Sequence, residues 1–171
     1  MPEHVFVDES KTNGLLMAAT ICPAAEVNEH RRAMAGLLMP RERRIHFTKE
    51  SPARRRKILA VIAEFGLVAR LYQADKNDVS ARRACLAALV QDISASAERL
   101  VVERDESTVT VDKQVLFHAA RRHECSDSLQ YELLAAHADP MLWTPDAVAW
   151  SWVKGGEWRD SVAAYSTVIR V

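Results

Sequence analysis

Apolar positions along the chain change their spacing repeatedly, and the changes mark out elements. Two β-like runs come first, His4–Asp8 and Leu15–Cys22, separated by a short turn containing Asn13-Gly14. Asn-Gly favours the left-handed backbone of a tight turn, so these runs predict an antiparallel hairpin. Ala24–Leu38 carries Val27, Met34, Leu37 and Leu38 as a helix closed off by Pro40. A short β-like piece is expected at Ile45–Thr48. Ser51-Pro52 then reads as an N-cap with proline at the first helical position. Ile58, Val61, Ile62 and Phe65 follow at helical spacing and Gly66 ends the helix. Leu67–Gln73 predicts a strand, and Asn77 or Asp78 caps a long helix whose stripe is Leu86, Leu89, Val90 and Ile93. Arg99–Asp105 predicts a strand, Asp112–Arg122 a helix, Gln130–Ala136 a strand and Thr144–Lys154 a helix ended by Gly155-Gly156. The last dozen residues show no clear period.

A hairpin followed by alternating helices and strands implies a mixed sheet with helices on both faces, a three-layer α/β fold. No repeat or flexible linker interrupts the 171 residues, so one domain over 1–171 is expected. Hydrophobic residues make up 49% and charged residues 27%, an ordinary globular mixture. No apolar run approaches the roughly 18 residues of a membrane span. The N-terminus enters a strand pattern at once, without a basic leader and apolar stretch, so a cytoplasmic protein is expected. Cys22, Cys85 and Cys125 are widely spaced and form no Cys-x-x-Cys pair, which favours reduced thiols, at least two of them in the core, over zinc.

The net charge is zero, yet it is unevenly spread. From Arg31 to Lys57 there are ten Lys/Arg against two acids, a local charge of +8 that the remainder cancels. Such a block either attracts phosphates or coats solvated helix faces.

Acidic residues stand in three places that could carry chemistry. In Val-Phe-Val-Asp-Glu-Ser, residues 5–10, a period of two sets Phe6, Asp8 and Ser10 on one face and Val5, Val7 and Glu9 on the other. In Leu-Val-Val-Glu-Arg-Asp, residues 100–105, Glu103 and Asp105 share a face with Val101. In Trp-Thr-Pro-Asp-Ala-Val-Ala-Trp, residues 143–150, Asp146 lies with Ala149, Trp150 and Val153 on the stripe that packs on the sheet. Each has an ordinary reading: a polar strand tip, a loop beginning early, and a first-turn acid at a helix whose N-cap is Thr144. Together, carboxylates from two strand ends and a helix start would converge on one patch. Like charges so close raise one another's pKa unless a cation neutralises them. Oxygen donors suit Mg²⁺ or Mn²⁺, and two such ions about 4 Å apart would serve phosphodiester hydrolysis.

These motifs carry a resemblance. His-Val-Phe-Val-Asp-Glu-Ser, the His46-Phe47 pair after a basic loop, the Leu-Val-Val-Glu strand and the Trp-Thr-Pro-Asp helix resemble a bacterial family, domain of unknown function 3800, from about Val5 to Trp158. That family is grouped with the ribonuclease H-like superfamily. The resemblance therefore implies a ribonuclease H-like three-layer fold and a divalent-metal-dependent nuclease, a hydrolase. It also implies catalytic acids at the end of the first strand, on a central strand and on the last helix. Those places match Asp8, Glu103 and Asp146, with Glu9 and Asp105 as further metal ligands. Lys11 stands where the family usually has glycine, and for a fourth acid only Glu64 and Asp75 are near mid-chain.

His46, Arg43, Arg44 and Lys49 are the candidates for holding substrate, His46 being equally readable as a half-buried strand histidine. Trp143, Trp150, Trp152 and Trp158 either stack on bases or, more simply, pack the last helix. No phosphate-binding glycine loop or serine nucleophile elbow is present. Two functions thus stand: a Mg²⁺- or Mn²⁺-dependent nuclease acting on DNA or RNA, and a non-catalytic nucleic-acid-binding or regulatory module on the same fold.

Overall fold

Asn13 and Gly14 both adopt positive φ, 58° and 96°, and the hairpin they predict forms. It joins β1 (Glu3–Ser10) to β2 (Leu15–Pro23) in antiparallel register, with Asp8 opposite Ala18. In the computed structural model, which describes residues 1–171, four further strands complete one sheet. They are β3 (Val68–Ala74), β4 (Ala97–Glu103), β5 (Gln130–Leu134) and β6 (Ser166–Arg170). The order is β5-β4-β1-β2-β3-β6. β3 runs antiparallel to β2, whereas β4 is parallel to β1, β5 to β4 and β6 to β3. Each parallel step requires a crossover, and helices supply it.

The pleat divides β1 between two cores. Val5 and Val7 pack with Leu86, Leu89 and Leu116 under α3 (Val79–Ile93) and α4 (Val109–Arg122). Phe6 packs on the other face with Ile58, Trp143 and Val148. That face is covered by α1 (Val27–Ala35), α2 (Pro52–Glu64), α5 (Trp143–Lys154) and α6 (Gly156–Ala163). Burying each large apolar side chain stabilises the fold by roughly 1.5–3 kcal/mol before entropy is counted. Caps fall where the sequence places them for two helices: Ser51 Oγ accepts the Arg54 N–H, and Asp78 accepts that of Ala81. All three cysteines are free and buried. No helix is long and apolar enough to cross a membrane.

Several boundaries and one element depart from expectation. Ile45–Thr48 is not a strand; Phe47–Lys49 is a single 3₁₀ turn. Its alternation has another cause, because Ile45 and Phe47 are anchored in the core while the Phe47 N–H goes to the Asp146 carboxylate instead of a ladder partner. Thr144 is not an N-cap. It lies inside α5, donating its hydroxyl to the Met141 carbonyl and lying 2.7 Å from the Thr20 hydroxyl. The expected helix over Ala24–Leu38 begins as a 3₁₀ turn, Ala24–Glu26, and its α-helical part ends at Ala35. The unplaced last dozen residues form the end of α6 and the edge strand β6.

Trp143 is buried and donates its indole N–H to the Ala136 carbonyl at 2.7 Å. Trp150 meets Phe47 and Trp158 edge-on, with the Arg55 guanidinium 4.1 Å above its ring. These tryptophans pack the last helices.

A side chain at position 14 would collide with the next strand. A Cβ there would lie 2.5 Å from the Ala74 carbonyl oxygen, in backbone that favours glycine. Gly14→Ala is therefore expected to destabilise the protein by roughly 2 kcal/mol, measured as a lowered urea midpoint. An unchanged midpoint would contradict this role.

Candidate active site

The parallel register of β1 and β4 builds the first half of the site. Val7 pairs with Val102, so Asp8 and Glu103, next along each strand, stand side by side on the face shared with Phe6. α5 crosses that face and brings Asp146 in from its first turn. The three carboxylates line one polar cleft of about 380 Å³, together with Arg44, His46 and Thr48.

Their surroundings are electrostatically crowded. Asp8 is only 8% exposed, and its Oδ1 accepts the Glu9 backbone N–H at 2.7 Å. Its carboxyl is held well above the ordinary value of 3.8. Burial is the main cause, followed by the close approach of the Glu103 side chain and the charges of Glu103, Asp146 and Glu9. Asp146 is raised as well, again mainly by burial, although the Phe47 N–H at 3.0 Å and the Arg44 charge oppose the shift.

Arg44 reaches between two of the acids. One guanidinium nitrogen is 3.4 Å from Glu103 Oε1 and another 3.8 Å from Asp146 Oδ2. As they stand, no three His, Cys, Asp or Glu side chains are arranged to hold a metal ion. The donor set nevertheless has the chemistry of a hard-cation site: carboxylate oxygens, crowded and partly desolvated.

Other expected site residues lie elsewhere or are differently engaged. Glu9 borders the cleft but points with Val5 and Val7 toward the opposite layer, where it meets Arg82 at 2.9 Å. Asp105 lies beyond β4, bonded to Lys11 at 3.1 Å and to the Ser107 hydroxyl and backbone, which pull its pKa down to about 2. His46 is half-buried and lines the cleft. Arg43 and Lys49 are exposed and do not line it.

Beneath the site is an ion pair that sequence reasoning passed over. Arg82 of α3 grips Asp112 of α4 with two bonds of 2.6 and 2.8 Å, both residues buried, and Thr108 adds a hydroxyl at 3.1 Å. The signal was present, since Arg82 continues the stripe of Leu86 and Leu89, and Asp112 that of Leu116 and Ala119. A charge on an apolar stripe needs a buried partner.

Comparison with known proteins adds the fold's relatives. No protein-family model matches the chain, and no curated protein sequence does. Among solved structures, it is similar to RNase HII in the structure of the PCNA:RNase HII complex from Archaeoglobus fulgidus, with a TM-score of 0.57. The match covers 87% of this chain and 69% of that one, at 13% identity. The fold is ribonuclease H-like. The likeness to domain of unknown function 3800 rests on the sequence motifs.

Two stability measurements follow. Arg82→Met strands the buried charges of Asp112 and Glu9 and should cost about 3–5 kcal/mol, while Arg82→Met combined with Asp112→Leu and Glu9→Gln should recover most of it; equal losses in both would show that the charges are not coupled. Asp8→Asn should do the opposite and raise stability by about 1 kcal/mol in EDTA at neutral pH. Because the folded pKa of Asp8 is raised, its ionisation opposes folding at neutral pH, and that cost vanishes below the ordinary value of 3.8. The gain should therefore shrink as pH falls toward 4, and a gain independent of pH would remove Asp8 ionisation as its cause.

Proposed function

We propose that the protein is a divalent-metal-dependent nuclease hydrolysing phosphodiester bonds in DNA or RNA. The observation that carries this reading is the meeting of Asp8, Glu103 and Asp146 in one cleft, from two adjacent parallel strands and a helix, on a ribonuclease H-like sheet. Asp8, Glu103 and Asp146 would hold Mg²⁺ or Mn²⁺. Bound there, such an ion supplies an activated water and neutralises charge on the phosphate.

The chain's own residues supply position. Asp8 and Glu103 sit on inner strands of the sheet, and Asp146 is steadied by the Phe47 peptide. His46 and Thr48 border the cleft as polar groups for the substrate. The basic segment is partly consumed internally: Arg31 binds Asp139, Arg54 binds Glu50 and Arg56 binds Glu157. Arg32, Arg41, Arg43, Lys49 and Lys57 are exposed without an ion-pair partner, so they are free to meet backbone phosphates.

A second reading, a nucleic-acid-binding or regulatory module without catalysis, is favoured by one observation: Arg44 already straddles Glu103 and Asp146. Cleavage assays separate the two. Labelled single- and double-stranded DNA and RNA, incubated with Mg²⁺ or Mn²⁺, should be cut by the wild type, with activity reduced at least 100-fold in Asp8→Asn and Asp146→Asn on the order expected for lost electrostatic stabilisation. Salt-sensitive binding with no metal-dependent cutting would favour the module, and full activity in both variants would remove the acids from catalysis.

A further inference from the structure

Two arginines contact the acids around β1, and they are held very differently. Arg82 is buried and makes bonds of 2.6–2.9 Å to Asp112 and Glu9. Arg44 makes three polar contacts, to Glu103 Oε1, Asp146 Oδ2 and the Ile45 carbonyl, at 3.4, 3.8 and 3.4 Å. Charge-assisted bonds of a committed guanidinium are nearer 2.7–2.9 Å. The Arg44 side chain is also 30% exposed to solvent. Its backbone, by contrast, is fixed nearby, because Ile45 is 1% exposed and Phe47 fully buried. A side-chain rotation alone can therefore carry the charge out of the cleft, without moving the segment that bears it.

From this arrangement, and resting on the metal-nuclease reading above, we infer that Arg44 is the resident counter-cation of the cleft, competing with the divalent ion for Glu103 and Asp146. Its guanidinium neutralises those two carboxylates when no metal is present. Metal binding must displace it, because a cation shared by the same two oxygen donors would face a like charge a few ångströms away. Arg44 thus stabilises the metal-free fold and weakens metal affinity, two effects of one contact. Once outside, the guanidinium stands at the rim of the cleft, where an anionic substrate would retain it.

The competition is read directly by titrating the folded protein with Mn²⁺, following free Mn²⁺ by electron paramagnetic resonance, with no substrate present. Arg44→Gln should bind Mn²⁺ about tenfold more tightly than wild type, a coupling of ordinary size between two ligands of one site. Arg44→Lys, which keeps the positive charge, should stay close to wild type. In thermal unfolding, Arg44→Gln should melt lower than wild type in EDTA and gain more from saturating Mn²⁺. If Arg44 is only a structural latch for its loop, Arg44→Gln will melt lower and bind Mn²⁺ equally or more weakly, and the inference is overturned. Arg44→Lys binding as tightly as Arg44→Gln would overturn charge competition in the same way. Absence of Mn²⁺ binding in wild type and Arg44→Gln alike would overturn the metal-nuclease reading itself, and the inference with it.

Discussion

β1 is hydrogen-bonded on both sides, to β2 and to β4, so its pleat cannot slip without breaking two ladders at once. That constraint divides neighbouring acids between opposite layers. Asp8 faces the cleft under α5, and Glu9 faces the buried ion pair between α3 and α4. One residue of slip would exchange them, exposing Phe6 to the wrong core and leaving Arg82 without its second partner. The hydrophobic alternation around Phe6 thus holds a polar arrangement in place. The apolar residues decide the register, and the register decides which carboxylate faces the cleft.

The same strand end meets its positive charges in two forms. On the α3/α4 side, desolvation is met by short, bidentate bonds with few alternatives, as a buried pair requires. On the α5 side, three carboxylates share the cleft with one loosely held guanidinium, and the burial of Asp8 and Asp146 is left partly uncompensated. A site kept in that state stores repulsion that a bound cation would relieve. The uncompensated burial is thus confined to one face of one strand.

Much of this was legible from residues alone. Asn13-Gly14 marked the hairpin and the period of two put Asp8 and Glu9 on different faces, but the stripe expected at Asp146, Ala149, Trp150 and Val153 is only half-buried apart from Ala149, and the helix buries Thr144, Ala147, Val148 and Ser151 instead. The three-layer class followed from the order of elements, because a hairpin followed by alternating helices and strands leaves few ways to arrange a sheet, whereas the ribonuclease H-like reading came from the resemblance. What stayed hidden was long-range. Ile45–Thr48 alternates like a strand because its apolar residues anchor a loop, and local spacing does not distinguish the two. Arg44 was expected to hold substrate, and only the fold brings it to Glu103 and Asp146. Strand β6 is five residues long, and its place beside β3 depends on a partner almost a hundred positions away.

The support given to Asp146 has a bearing on inheritance. Its oxygen is held by the peptide N–H of Phe47, not by a side chain. Every residue except proline carries that donor, and no single-nucleotide change of a phenylalanine codon gives proline, so no such change at position 47 removes it. A substitution at 47 would therefore be felt first at the buried ring, through its packing with Trp150, while the carboxylate keeps its backbone partner. The contact to Asp146 is thus tied to the path of the loop and not to the identity of any one side chain.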